Sequence, residues 1–249
     1  MPGVRVEGRG PATVVTMSWP HKRNALGPDE AGELAEALRE AGRRDGSVVV
    51  LAGEGAFCAG GDLPTIAQIT QEMSIEEIRR TVYERFQGVI RALRDCPIPT
   101  IAAVDGPAVG LGMDLALACD QRFVGPTGWM QQGWARAGLI AGTGGVALVH
   151  RLRPGLLWRL VANQDRLGSA ECERFGLAEA TDGSALDAAL ARAEALARIP
   201  REVLGHYARL DRAASWPAQE HFDESARVQG ALLASEYFRS FAQQMTARR

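Results

Sequence analysis

The chain has 249 residues, 46% of them hydrophobic and 23% charged, and a formal charge of −2. That composition excludes a disordered or low-complexity chain, and it offers no basic surplus for nucleic acid or an anionic membrane surface. All but one of the 28 cationic residues are arginine, the exception being Lys22; in so Ala- and Gly-rich a chain this reads as base composition, not phosphate binding. No run approaches the roughly 18 apolar residues that span a bilayer, and Met1 to Gly10 lack the apolar core of a secretion signal. Cys58, Cys96, Cys119 and Cys172 form no C-x-x-C pair, and the four histidines are scattered. The expectation is a cytoplasmic protein with reduced thiols and no metal site.

Residues 13–17 predict a short strand rich in β-branched side chains. Pro28, Asp29 and Glu30 mark a helix start, and the helix runs to about Arg44 with Leu34 and Leu38 on one face. Ser47 to Ala52 is a continuous apolar run, as a strand buried on both faces requires. A glycine-rich loop, Gly53 to Leu63, follows it. Residues 74–94 predict a helix, with Ile75, Ile78, Val82, Phe86, Val89, Ile90 and Leu93 at helical spacing. Thr100 to Val104 is a second buried strand, and Asp105 to Gly112 form a second glycine-rich turn that opens directly into a helix at Met113. This order is an α/β pattern. From Ala185 onward the chain reads as helical, with Leu186, Leu190, Ala193 and Leu196, then Phe222, Val228, Leu232, Leu233, Tyr237 and Phe241 as the apolar positions. The division expected is therefore a core over residues 1–184 and a helical region over 185–249 that packs on partner subunits.

Two glycine turns at strand ends expose backbone N–H groups, which can cradle a phosphate or an oxyanion; alone, each turn also serves tight packing. Gly110-Leu111-Gly112 is followed by Met113, Asp114 and Leu115, so the third glycine of a dinucleotide fingerprint is missing. Neither a P-loop nor a G-x-S-x-G elbow is present.

Arg23-Asn24-Ala25-Leu26, the loop Ala56 to Leu63 and the stretch Pro99 to Gly112 together resemble the enoyl-CoA hydratase/isomerase (crotonase) superfamily. Ala118-Cys119-Asp120, Gly138 to Gly145 and Ser169 to Leu177 extend the match in family order over about residues 13–182. The resemblance implies a crotonase-like spiral of ββα units with a helical C-terminal region, assembled as a homotrimer or a hexamer. It implies an acyl-CoA or related thioester as substrate, with coenzyme A entering as part of it and no separate cofactor. Gly61 and Leu111 would supply the two backbone N–H groups that hold a thioester enolate. Lys22, Arg23, Ala25, Ala59 and Asp62 would lie along the coenzyme A moiety.

Family hydratases use two glutamates. The first position falls at Asp114, a shorter carboxylate in a first helical turn, where the macrodipole also favours an acid. The second falls at Trp134, whose one polar group is an N–H donor. Trp134 reads either as core filling or as a wall of the acyl pocket. Aromatic dehalogenation is not implied, because the positions of its nucleophile and histidine carry Gly142 and Gln87. The expectation is enolate chemistry with one base, of which double-bond isomerisation is the simplest case. The alternatives are decarboxylation, hydration with altered water placement, or a non-catalytic acyl-CoA binding protein.

Overall fold

A computed structural model describes residues 2–246; Met1 and residues 247–249, at the outer ends of the two expected regions, lie outside the described residues. The chain opens with β1 (Gly3–Arg9) and β2 (Ala12–Ser18), an antiparallel pair. The sequence reading has no β1. Its Val4 and Val6 alternate with Arg5 and Glu7, but only one side is paired, and charged side chains line the free edge. A tight turn leads into α1 (Pro28–Arg43), where Pro28 takes the first helical position and the Glu30 carboxylate accepts the Gly27 N–H at 3.0 Å. Next come β3 (Val48–Gly53) and α2 (Leu63–Ile69). The helix expected over 74–94 is one continuous helical run: α3 (Ile75–Ile78), a wide π-type turn (Arg79–Tyr83) and α4 (Glu84–Arg94). Ser74 caps it by accepting the Glu77 N–H.

β4 (Thr100–Val104) is followed by β5 (Pro107–Val109), set inside the second glycine turn, and by α5 (Leu111–Ala118). β6 (Gln121–Val124) and β7 (Trp129–Gln131) lead to α6 (Gly145–Leu152) and α7 (Leu156–Asn163). β8 (Leu167–Gly168), α8 (Ser169–Arg174) and β9 (Glu179–Ala180) close the core. The main sheet runs β1-β2-β3-β4-β6-β9, parallel after the first pair, and a small sheet runs β5-β7-β8. The whole is the crotonase-type spiral that the sequence implies.

Both faces of the main sheet are covered, which explains its unbroken apolar strands. Val14, Val48, Val50, Ile101 and Ala103 face α9 (Ala185–Leu196). Their neighbours Val15, Val49, Leu51, Ala102 and Val104 face the opposite way, into the larger core that holds α1, α4 and α5. On α9 the contact is made by Ala185, Ala189 and Ala193; Leu186, Leu190 and Leu196 are only half-buried at its margin. Small residues thus bring the helix close to the sheet, and the leucines flank it.

The remaining helices are α10 (Arg201–Ser215), α11 (Gln219–Leu233) and α12 (Glu236–Thr246). Phe222, Ala226, Leu233, Phe238 and Ala242 join the larger core, with α11 against α3 and α12 against α2. Tyr237, an expected apolar contact, is 63% exposed, while the next residue, Phe238, is buried. Among the described residues no helix is long and apolar enough to cross a membrane.

Candidate active site

Three segments converge on one place: the turn 19–26, the loop 53–62 and the β5–α5 turn. Asn24, fully buried, joins the first two. Its Oδ1 accepts the Trp19 N–H at 2.7 Å, and its Nδ2 donates to the Ala56 carbonyl at 2.6 Å. Ala59 donates its N–H to the Arg23 carbonyl at 2.9 Å. Leu26 then bridges Gly61 in parallel fashion: the Leu26 N–H donates to Gly60 O at 2.8 Å and the Asp62 N–H to Leu26 O at 2.9 Å. In that pattern the N–H of Gly61 itself faces away from Leu26. Cys58 bridges Ala108 on the other side, so the loop is pinned between the first segment and β5.

The approach of the loop to β5 and α5 needs glycine at two points. Gly60 has φ +104°, and a Cβ there would sit 2.7 Å from the Val109 carbonyl oxygen and 3.8 Å from Leu111 N. A Cβ at Gly112 would meet Cys58 O at 2.2 Å. The two glycine turns therefore meet, as two halves of one donor site would. Leu111 is the first residue of α5, so its N–H has no partner within the helix.

Every residue of α5 is buried, and Asp114 is its one charged side chain. It lies three residues from Leu111, on the same helical face and roughly 5–6 Å away. Its Oδ2 accepts two hydrogen bonds, from Thr143 Oγ1 at 2.5 Å and from Trp134 Nε1 at 3.3 Å. Its Oδ1 has no hydrogen-bond partner among the described residues. Burial pushes the carboxyl up to about 7, although both hydrogen bonds pull the other way. A carboxyl with that proton affinity can both take and return a proton near neutral pH.

Trp134 precedes a short 3-10 turn, Ala135–Ala137, and is 4% exposed. Its backbone N–H donates to Gln132 Oε1 at 3.0 Å. The indole reaches across the junction of the two turns. A Cβ on Gly61 would lie 3.7 Å from its Cη2, and one on Gly110 would lie 3.3 Å from its Cε2. The ring thus fills space between the Gly61 backbone and Asp114 and donates its N–H to the carboxylate.

Of the residues expected from sequence, Gly61, Leu111, Asp114 and Trp134 are brought together here. Ala59 is half-buried, and Ala25 is buried beside it. Lys22 is not an unpaired cation: its Nζ donates to Glu30 and, at 3.4 Å, to Asp62, both of them largely buried with it. Lys22 holds Glu30 below the usual carboxylate range, partly against the cost of burial. Arg23 is exposed, with φ +50°. Gln87, on α4, donates to Gly142 O at 3.0 Å and Phe222 O at 2.7 Å, and so braces the backbone behind Thr143.

Two residues escape the sequence reading. Asn24 sits in a recognisable stretch, but its role depends on a left-handed turn (φ 57°) that only geometry reveals. Thr143 is one hydroxyl among glycines, and its partner is 29 positions away. Among the described residues there is no group of three or more His, Cys, Asp or Glu that could hold a metal ion.

A family model for enoyl-CoA hydratase/isomerase matches residues 9–247. The "Enoyl-CoA hydratase domain-containing protein 2, mitochondrial" of Mus musculus is 38% identical over 170 residues, which are 66% of this chain and 55% of that protein. This chain therefore spans little more than half the length of that relative. A "Probable enoyl-CoA hydratase" of Rhodobacter capsulatus is 31% identical over 251 aligned positions, covering 99% of this chain and 95% of that one. The crystal structure of an enoyl-CoA hydratase/isomerase from Mycobacterium paratuberculosis superposes with a TM-score of 0.87 over 98% of both chains, at 23% identity, and shows the shared fold.

Proposed function

The chain belongs to the enoyl-CoA hydratase/isomerase family, and on that premise we propose that it binds an acyl-CoA thioester and moves one proton at its α-carbon through Asp114. The Gly61 and Leu111 amides would hold the thioester carbonyl oxygen as charge develops on it. Fixed donors of this kind are worth about 3–4 kcal/mol each in the transition state. Asp114 would take the α-proton, and returning it to another carbon would move the double bond. Coenzyme A would enter as part of the substrate, with no separate cofactor, along the segment of Arg23, Ala25, Ala59 and Asp62. There the paired Lys22 serves to fix Asp62 and Glu30 more than to meet a phosphate. The homotrimer or hexamer typical of the resemblance is part of this reading, and the exposed apolar stripe Val203, Tyr207 and Leu210 on α10 supports it.

One observation carries the proposal: Asp114 is a fully buried carboxyl with Oδ2 twice hydrogen-bonded and Oδ1 without a partner among the described residues. It stands one helical turn from the Leu111 amide. Hydration, by contrast, needs a second group to pass a proton to or from water, and Trp134 offers only an N–H donor.

The test is to incubate the protein with crotonyl-CoA and with a longer 3-enoyl-CoA and to analyse the products by mass spectrometry. A double bond moved without gain of water supports the proposal; a water adduct overturns it. A second reading, a non-catalytic acyl-CoA binding protein, is favoured by the indole laid against Gly61 and Gly110. Both substrates unchanged, with saturable binding in calorimetry, would establish that reading in place of the first.

A further inference from the structure

We infer that Thr143 is a positioning residue: its hydroxyl fixes the Asp114 carboxyl in one orientation and thereby makes Oδ1 the oxygen that takes up and returns the proton. This rests on the proposed enolate chemistry of Asp114. Thr143 is fully buried and lies just before α6, and its Oγ1 is 2.5 Å from Asp114 Oδ2. The indole N–H of Trp134 also points to Oδ2, at 3.3 Å, and an indole nitrogen can only donate. With both donors in place, a proton arriving on Oδ2 would face the indole hydrogen. Oδ1 has no such obstacle.

Oδ1 packs against the same segment. A Cβ on Gly145 would sit 2.0 Å from Oδ1 and 2.6 Å from Cγ of Asp114, so only glycine tolerates that oxygen there. Thr143 and Gly145, two residues apart, thus fix the carboxyl between them: one binds Oδ2, and the other lets Oδ1 lie close against the backbone. The backbone behind them is braced by Gln87 at Gly142 and by the Gln229 side chain, which accepts the Ile140 N–H at 2.8 Å.

The groups facing Asp114 are few. Tyr83, from the wide helical turn, is buried; its phenol is pushed above the usual range by burial, and Asp114 adds to that. It is therefore neutral at any working pH. Among the described residues, burial and the Thr143 and Trp134 hydrogen bonds set Asp114, and no cationic side chain is among the causes. Removing the Thr143 donor therefore strengthens the hold of the carboxyl on its proton.

The test compares the wild type with Thr143→Val, which keeps the shape, Thr143→Ala and Thr143→Ser. Two quantities are read against pH: exchange of the substrate α-proton for deuterium, and the infrared carbonyl band of protonated Asp114 in substrate-free protein, assigned by its loss in Asp114→Asn. The expected result is a midpoint raised by about one pH unit in Thr143→Val and Thr143→Ala, with exchange at neutral pH down about fivefold as the ionised fraction falls. Thr143→Ser should restore both. A Val or Ala variant that titrates like the wild type, or that loses exchange with the infrared midpoint unmoved, overturns the inference. A wild type that exchanges nothing, while the infrared midpoint still moves in Thr143→Val, overturns the enolate chemistry and leaves the positioning role supported.

Discussion

Asp114 is a buried acid whose protonation is tied to folding. Its carboxyl is raised from an ordinary 3.8 to about 7, first by burial. The neutral form is the one the fold prefers. The contribution of Asp114 to stability is therefore fully present below about pH 3.8 and is lost as pH rises through about 7. Asp114→Asn cannot ionise, yet its amide oxygen can still accept from Thr143 and Trp134. Relative to the wild type, this variant is expected to gain stability between about pH 4 and 7 and then level off, by at most a few kcal/mol (about 1.4 per pH unit). Denaturant unfolding at about pH 4.5 and about pH 8 checks it: an equal effect at both values would mean that the carboxyl is not held in its neutral form. Asp114 and Trp134 were legible from sequence because each falls at a fixed place in a recognisable order of motifs. Their contact was not legible, since nothing local says that an indole N–H will meet a carboxylate 20 residues earlier. Lys22 shows the same limit: the sequence places it along the coenzyme A moiety but does not reveal its pairing with Glu30 and Asp62.

At the scale of elements, the strands read correctly where both faces are buried, because a run such as Val48 to Ala52 has no polar alternative. β1 was missed because it is half-exposed and broken by Gly3 and Gly8. β5, β7 and β8 are two or three residues long and lie inside turns or short connections, below the reach of periodicity. The C-terminal helices were legible as helices and only partly in their faces: Ala193, Phe222 and Leu233 bury as expected, but on α9 Ala185 and Ala189 bury beside Ala193 where Leu186 and Leu190 were expected. What anchors α10 is polar. Arg212, 4% exposed, donates to Asp120 Oδ1 at 2.8 Å and to the carbonyls of Arg94, Cys96 and Ile98. Asp120 in turn accepts the Thr100 N–H at 2.7 Å. One guanidinium thus ties α10 to the end of α4, the start of β4 and the end of α5. Removing one partner of such a buried pair leaves the other uncompensated, so Arg212→Ala is expected to cost about 3–5 kcal/mol. Thermal unfolding measures it, and a loss below about 1 kcal/mol would mean the pair is dispensable.

For the whole molecule, the spiral fold is readable because the two glycine turns must come at strand ends for their amides to meet, and the order of motifs preserves that. Assembly is less readable, since it depends on faces and not on motifs. Val203, Tyr207 and Leu210 stand at helical spacing on the outer face of α10, with Tyr207 68% and Leu210 62% exposed. In a homotrimer or hexamer such a stripe would be covered. Tyr207→Glu combined with Leu210→Glu is expected to lower the mass seen by sedimentation while changing monomer stability by no more than about 0.5 kcal/mol. An unchanged mass would place the contact elsewhere. The central claim, however, concerns one proton. Its most direct measurement is the exchange of the α-proton of an acyl-CoA in deuterium oxide, followed by mass spectrometry, with wild type and Asp114→Asn side by side. The account predicts deuterium in the recovered thioester with the wild type, at least a hundredfold less with Asp114→Asn, and unchanged thioester affinity in both. Equal exchange by the two proteins would contradict it, because the proton would then be moving through some other group.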